Sequence, residues 1–237
     1  MAEISTSIVM FFAFTTLVTL LCFYQTNKSR KQLTGIFIWM AVVGILGYFG
    51  FYRVQKTILP RFVFLLAPGI LFVIVYFFFT KNNTISNEEN LKWLTLLHTI
   101  RIPVEIVLYN VFIEGYIPDL MTFEGYNYDI LSGISAPIIY YAVFVKKWIG
   151  KKGLLIWNFI CLGLLVNILT IAVFSAQTPI QQLAFDQPNI GVTYFPFVWL
   201  PAVIVPIVLY SHLVSIKILL NFRNGKTAAN NGACCTS

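Results

Sequence analysis

The sequence predicts an all-α, polytopic integral membrane protein of seven transmembrane helices, N-terminus outside and C-terminus in the cytoplasm. Three observations carry that expectation. Only 11% of the 237 residues are charged and 58% are hydrophobic, whereas a soluble domain holds about 25% charged residues. The apolar residues gather into seven runs, at 4–24, 33–52, 62–80, 93–113, 129–145, 153–175 and 193–219, most of them close to the ~20 residues that cross ~30 Å of hydrocarbon. Each run is continuous, without the ten-residue alternation of a membrane barrel, so helices are selected. The helices make one domain over 1–223, followed by a small, polar tail at 224–237 that reads as disordered and cytoplasmic.

The first run has no basic residue before it and Lys28, Arg30 and Lys31 after it. A retained, N-out anchor has that order, and a cleaved signal has the reverse. The second run opens on Gly35-Ile36-Phe37-Ile38-Trp39, and the third carries Pro68. The loop after the third holds Lys81 and Lys92, the formal sequon Asn82-Asn83-Thr84, and the capping-box spacing Ser86 to Glu89. The fifth run is short and rich in small or polar residues (Ser132, Gly133, Ser135, Pro137), which permit close helix approach. Lys146, Lys147, Lys151 and Lys152 precede the sixth run, which opens on Gly153-Leu154-Leu155-Ile156-Trp157 and holds Asn158 and Asn167.

The seventh run contains Pro196, Pro201 and Pro206, expected to make it irregular, together with His212 and, near its end, Lys217, and is followed by Arg223 and Lys226. Twelve of the sixteen basic residues then lie on the cytoplasmic side, which fixes the orientation. It also accounts for the +7 net charge through lipid headgroups, with no nucleic-acid partner. The matching openings of runs two and six, and Phe62-Val63-Phe64 with Pro68 against Phe195-Pro196-Phe197 with Pro201, suggest a three-plus-one-plus-three parallel repeat. The fourth run is then the element without a counterpart. The tail cysteines Cys234 and Cys235 do not make an aliphatic lipidation signal.

Charge concentrates on that fourth run and the loop after it. Five of the nine acidic residues lie between Glu105 and Asp129, with no lysine or arginine among them. Within the run, His98, Arg101, Glu105 and Tyr109 follow three- and four-residue steps that share a helix face, and Asn110 and Glu114 continue outward. A charge at mid-bilayer costs about 2.5–3.5 kcal/mol against lipid, so Arg101 and Glu105 are expected to face protein or water. Arg101 and Glu105 read as a binding or gating pair, with His98, Tyr109 and Asn110 beside it. Pro103 between them leaves the Thr99 carbonyl without its helical donor. Glu114, Asp119, Glu124 and Asp129, interleaved with Tyr116, Phe123, Tyr126 and Tyr128, read as an outer vestibule that raises local cation concentration. As plain packing, the pair neutralises itself, the loop is a solvated aromatic belt, and Asp129 serves the dipole of the fifth helix.

These residues suggest a carrier or permeation protein for a small polar or cationic solute, proton-coupled, in a plasma or bacterial inner membrane. A membrane-embedded enzyme acting on a lipid or isoprenoid is the alternative, so whether the chain is an enzyme stays open. A non-retinal receptor or complex subunit is the third reading, since Lys217, near the cytoplasmic end, is the only lysine of the seventh run. The expected partners are the lipid bilayer and a small-molecule solute or lipid, and a homo-oligomer is compatible with the pattern. Two histidines in separate runs and no C-x-x-C or H-E-x-x-H motif offer no metal site, and no cofactor is expected.

Overall fold

Apolar runs become helices because lipid leaves backbone groups no other partner. The computed structural model describes residues 4–53, 61–79 and 88–232. The sequon, Ser86 and Asn87 of the capping-box spacing, Lys56, Lys81, and the cysteines at 234 and 235 lie outside them. Among the described residues all regular structure is helical: α1 (Thr6–Asn27), α2 (Arg30–Tyr48), α3 (Val63–Phe79), α4 (Glu88–Leu97), α5 (Arg101–Ile113), α6 (Ile130–Tyr140), α7 (Lys151–Phe174) and α8 (Val205–Gly232). Among the described residues, five helical stretches are long and apolar enough to cross a membrane: Thr6–Thr26, Arg30–Tyr48, Glu89–Ile113, Lys151–Phe174 and Leu200–Phe222. Val63–Phe79 and Ile130–Val145 are apolar but shorter. The chain has the build of a membrane protein. Large side chains such as Phe14, Ile38, Phe72, Ile138 and Ile160 point outward, where lipid rather than water suits them.

Polar side chains inside the helices are satisfied locally. The hydroxyls of Thr15, Thr16 and Thr19 donate to the carbonyls of Phe11, Phe12 and Thr15 at 2.8–2.9 Å, which removes their cost in an apolar setting. Lys28 ends α1 in the left-handed region, at φ 49°, and Ser29 caps α2 by accepting from the Gln32 amide at 3.4 Å.

The fourth run is interrupted. Between α4 and α5 the residues His98–Ile100 form a 3-10 turn, because Pro103 has no N–H for the Thr99 carbonyl and its ring crowds that oxygen. The seventh run also departs from a plain helix. Pro196 lies in a turn before its helical part, Pro201 lies in a π turn over Leu200–Ile204, and Pro206 lies in the first turn of α8. Pro206 cannot donate to the Ala202 carbonyl, and that oxygen instead accepts the indole N–H of Trp39 on α2, at 3.0 Å. The indole of Trp199 returns the bond to the Met40 carbonyl, also at 3.0 Å. Two reciprocal indole bonds therefore join α2 to the start of the last helix. Trp39→Phe strands the Ala202 carbonyl, and a loss of about 1–3 kcal/mol is expected, read as a lower midpoint in equilibrium unfolding in mixed micelles. An unchanged midpoint would show the bond to be dispensable.

α8 is the most deeply buried helix. Its residues Ile207, Val208, Val214 and Ile218 share one core with Phe12 and Leu20 of α1, Leu65 of α3 and Leu97 of α4. α6 lies across the α4–α5 junction with little separation. A Cβ on Gly133 would sit 3.0 Å from the Ile102 nitrogen and 3.3 Å from the Arg101 Cβ. That close approach brings the start of α6 to the charged face of α5.

Candidate functional site

Arg101 is 2% exposed and Glu105 2% exposed, and His98 is fully buried at the turn that precedes them. The turn and the first part of α5 thus set all three side chains into the middle of the bundle. Their partners come from other elements. Arg101 Nη1 donates to Asp129 Oδ1 in a buried ion pair. Its Nη2 lies 3.0 Å from His212 Nε2 on α8. A guanidinium only donates, so Nε2 is the acceptor and the His212 proton sits on Nδ1. That assignment fits the other side of the ring, where Nδ1 lies 3.1 Å from Asn158 Oδ1. The Asn158 amide then donates to the Leu154 carbonyl at 2.9 Å. One continuous path runs from Asp129 through Arg101 and His212 to α7.

Glu105 is held separately. The Asn127 amide donates to its two oxygens at 2.7 and 2.8 Å and lies 3.0 Å from the Met121 carbonyl. Asn127 Oδ1 in turn accepts from the Asp129 amide at 3.1 Å. The two carboxylates are thereby joined through one short segment, 127–129. Ser132 Oγ lies 3.5 Å from Asp129 Oδ1. His98 stacks on His212 with centroids 3.9 Å apart and planes at 16°, and meets Trp157 edge-on at 5.6 Å. Both His98 ring nitrogens and Arg101 Nε are buried, with no hydrogen-bond partner among the described residues. A cavity of about 70 Å³ touches Arg101, Glu105 and Asp129 among otherwise mainly apolar side chains.

Several sequence expectations change on this geometry. Arg101 pairs with Asp129 and His212, not with Glu105. Asp129, expected at an outer entrance, is buried at 6% exposure, because the Gly133 contact brings the start of α6 against α5. Tyr109 and Asn110 stand outside the cluster. Tyr109 stacks on Phe123 at 4.9 Å, and the Asn110 amide donates back to Ile106 at 2.7 Å. Glu114 accepts from the Ser5 amide at 3.0 Å, so it pins the N-terminal end of α1. Asp119 is exposed and accepts from the Leu120 amide at 2.7 Å, and Glu124 is exposed. Of the four vestibule residues, Asp119 and Glu124 are the exposed ones, and Glu124 is hydrogen-bonded to Tyr109.

Asn127 gave no periodic signal in the sequence, since it lies in an irregular loop. His212 and Asn158 were visible as polar residues in apolar runs, but packing is the ordinary role of such residues, and nothing local connected them to Arg101. Residues 59–220 match the model of a family described as Domain of unknown function (DUF8737). The match contains every member of the cluster. No curated protein and no solved structure matches the chain.

Proposed function

The chain therefore belongs to that family, and from this premise we propose that it is an integral membrane carrier or permeation protein for a small cation, coupled to protons. It sits in a plasma or bacterial inner membrane. In this reading the five long helices and the two shorter apolar ones make seven spans, with the N-terminus outside. Asp119 and Glu124 then face the outside and draw cations toward the bundle.

The observation that carries the reading is the charge balance of the buried cluster. Two carboxylates, Glu105 and Asp129, line the same cavity with one guanidinium. With both histidines neutral, one negative charge is left over, and among the described residues it is the Asn127 amide that hydrogen-bonds Glu105. Such a charge is costly in hydrocarbon, and a proton or small cation at Glu105 cancels it. A space of about 70 Å³ is far below the ~300 Å³ at which organic-ligand pockets begin. That favours a proton or inorganic cation in the closed form over a sugar-sized solute. The reading as a lipid enzyme gains little, because among the described residues the larger groove between α2, α3 and α8 is lined by no carboxylate or histidine.

Glu105→Gln tests the proposal, since its amide oxygen still accepts from Asn127 while the charge is gone. Proteoliposomes loaded with a pH-sensitive dye are expected to lose cation-driven proton flux by about tenfold or more, equivalent to about 1.4 kcal/mol in the barrier. Flux equal to that of the parent in a folded variant would sink the proposal.

A further inference from the structure

A second site lies away from the charged cluster. Between α2, α3 and the last helix runs a groove of about 580 Å³, within the ~300–1,000 Å³ of small-molecule sites. Its lining is apolar and aromatic along nearly all its length, with Lys31 and Gln32 at one end. On α2 it extends from Lys31 to Trp39, on α3 from Tyr76 to Pro68, and on α8 from Tyr210 to the Ala202 region. At 1.5 Å per residue each of these is about 12 Å, close to the ~15 Å of hydrocarbon in one leaflet.

The two ends differ in chemistry. The deep end is closed by the Trp39 indole bond to Ala202 and by α3 pressed on α8, where a Cβ on Gly69 would meet the Pro206 ring at 2.5 Å. The other end carries Lys31, exposed in the first turn of α2, beside the exposed Arg30. The groove opens on the lipid-facing side, since Phe72 in its wall is 69% exposed. We propose that this groove holds one acyl chain of an anionic bilayer phospholipid, with its phosphate at Lys31. A leaflet-deep apolar slot, closed at the bottom and cationic at its mouth, matches that amphiphile in length, polarity and charge. Access from the side requires no passage through water. No member of the Arg101–Asp129 cluster lines the groove, so the site stands or falls independently of the transport reading.

The test uses purified full-length protein in nanodiscs of phosphatidylcholine with a trace of spin-labelled phosphatidylglycerol, spin-labelled phosphatidylcholine, or spin-labelled oleate. The immobilised fraction is measured, and native mass spectrometry counts the retained lipid. Gly35→Phe blocks the slot, and a Cβ there meets nothing within 4 Å, so the fold is expected to be kept. Lys31→Glu reverses charge at an exposed position. The expected result is preferential retention of phosphatidylglycerol, lost by about tenfold in Gly35→Phe. Lys31→Glu is expected to remove the preference over phosphatidylcholine, at a cost of about 1.4 kcal/mol by that same tenfold factor. Equal retention of the two phospholipids by the parent overturns the proposal, as does unchanged retention in folded Gly35→Phe. Oleate held in preference to phosphatidylglycerol also overturns it, and assigns the groove to a free fatty acid. Should Gly35→Phe misfold, the Lys31→Glu comparison decides alone.

Discussion

Asp129→Asn is expected to destabilise the protein by about 3–5 kcal/mol, the typical cost of leaving one member of a buried ion pair without its counter-charge. Arg101 cannot shed its proton, and at 2% exposure it cannot reach water. The loss should appear as a shifted midpoint in reversible unfolding with denaturing detergent. The double variant Arg101→Met with Asp129→Leu separates packing from use. Replacing such a pair by apolar residues of similar volume is often neutral or stabilising, so the double variant is expected to recover most of the stability while losing cation-driven flux. Full flux in the double variant would reduce the pair to a packing device. A single variant as stable as the parent would show that the pair is not buried as described.

Gly125→Ala is expected to cost about 1–3 kcal/mol, the range for forcing extra atoms into a packed site. The added Cβ would lie against the Asp119 carbonyl oxygen and 2.8 Å from the Leu120 Cα. Those are backbone atoms, which cannot swing aside as a side chain can. The segment must shift, and the nearest consequence is at Asn127, two residues on, which holds both Glu105 oxygens. The expected signature is therefore double: a lower unfolding midpoint and faster amide exchange over 119–129. Gly163→Ala serves as the control, since a Cβ there meets nothing within 4 Å. Equal midpoints for the two alanine variants would contradict the close approach at Gly125.

The helical, membrane-type build was legible in composition and run length, because hydrocarbon enforces both. The burial of Arg101 and Glu105 was legible for the same reason. Who meets whom was not. Sequence spacing assigned Glu105 to Arg101, but Asp129 reaches the guanidinium only because Gly133 lets α6 lie almost on the α5 backbone. His212 is 111 residues away from Arg101 in the chain, and no periodicity within one helix reports on such a contact. Tyr109 failed for a geometric reason: four-residue steps drift by about 40° each at 3.6 residues per turn. Two steps from Arg101 to Tyr109 accumulate about 80°, enough to turn the ring off the face. The outer loop misled because a run of carboxylates resembles a solvated rim, whereas two of its four vestibule residues are tied to other helices, Asp129 to Arg101 and Glu114 to the start of α1.

The joint between α2 and the last helix carries a consequence about the order of change. Pro206 frees the Ala202 carbonyl and Trp39 occupies it. A lineage that acquires the tryptophan first takes no penalty, since an indole can rest on a carbonyl already bonded within its helix. One that acquires the proline first must carry an orphaned oxygen. Once both are present, the steps back are unequal as well: the proline can be lost while the tryptophan stays, but the tryptophan cannot be lost cheaply while the proline remains. The order is therefore fixed both ways: the tryptophan arrives before the proline, and the proline leaves before the tryptophan.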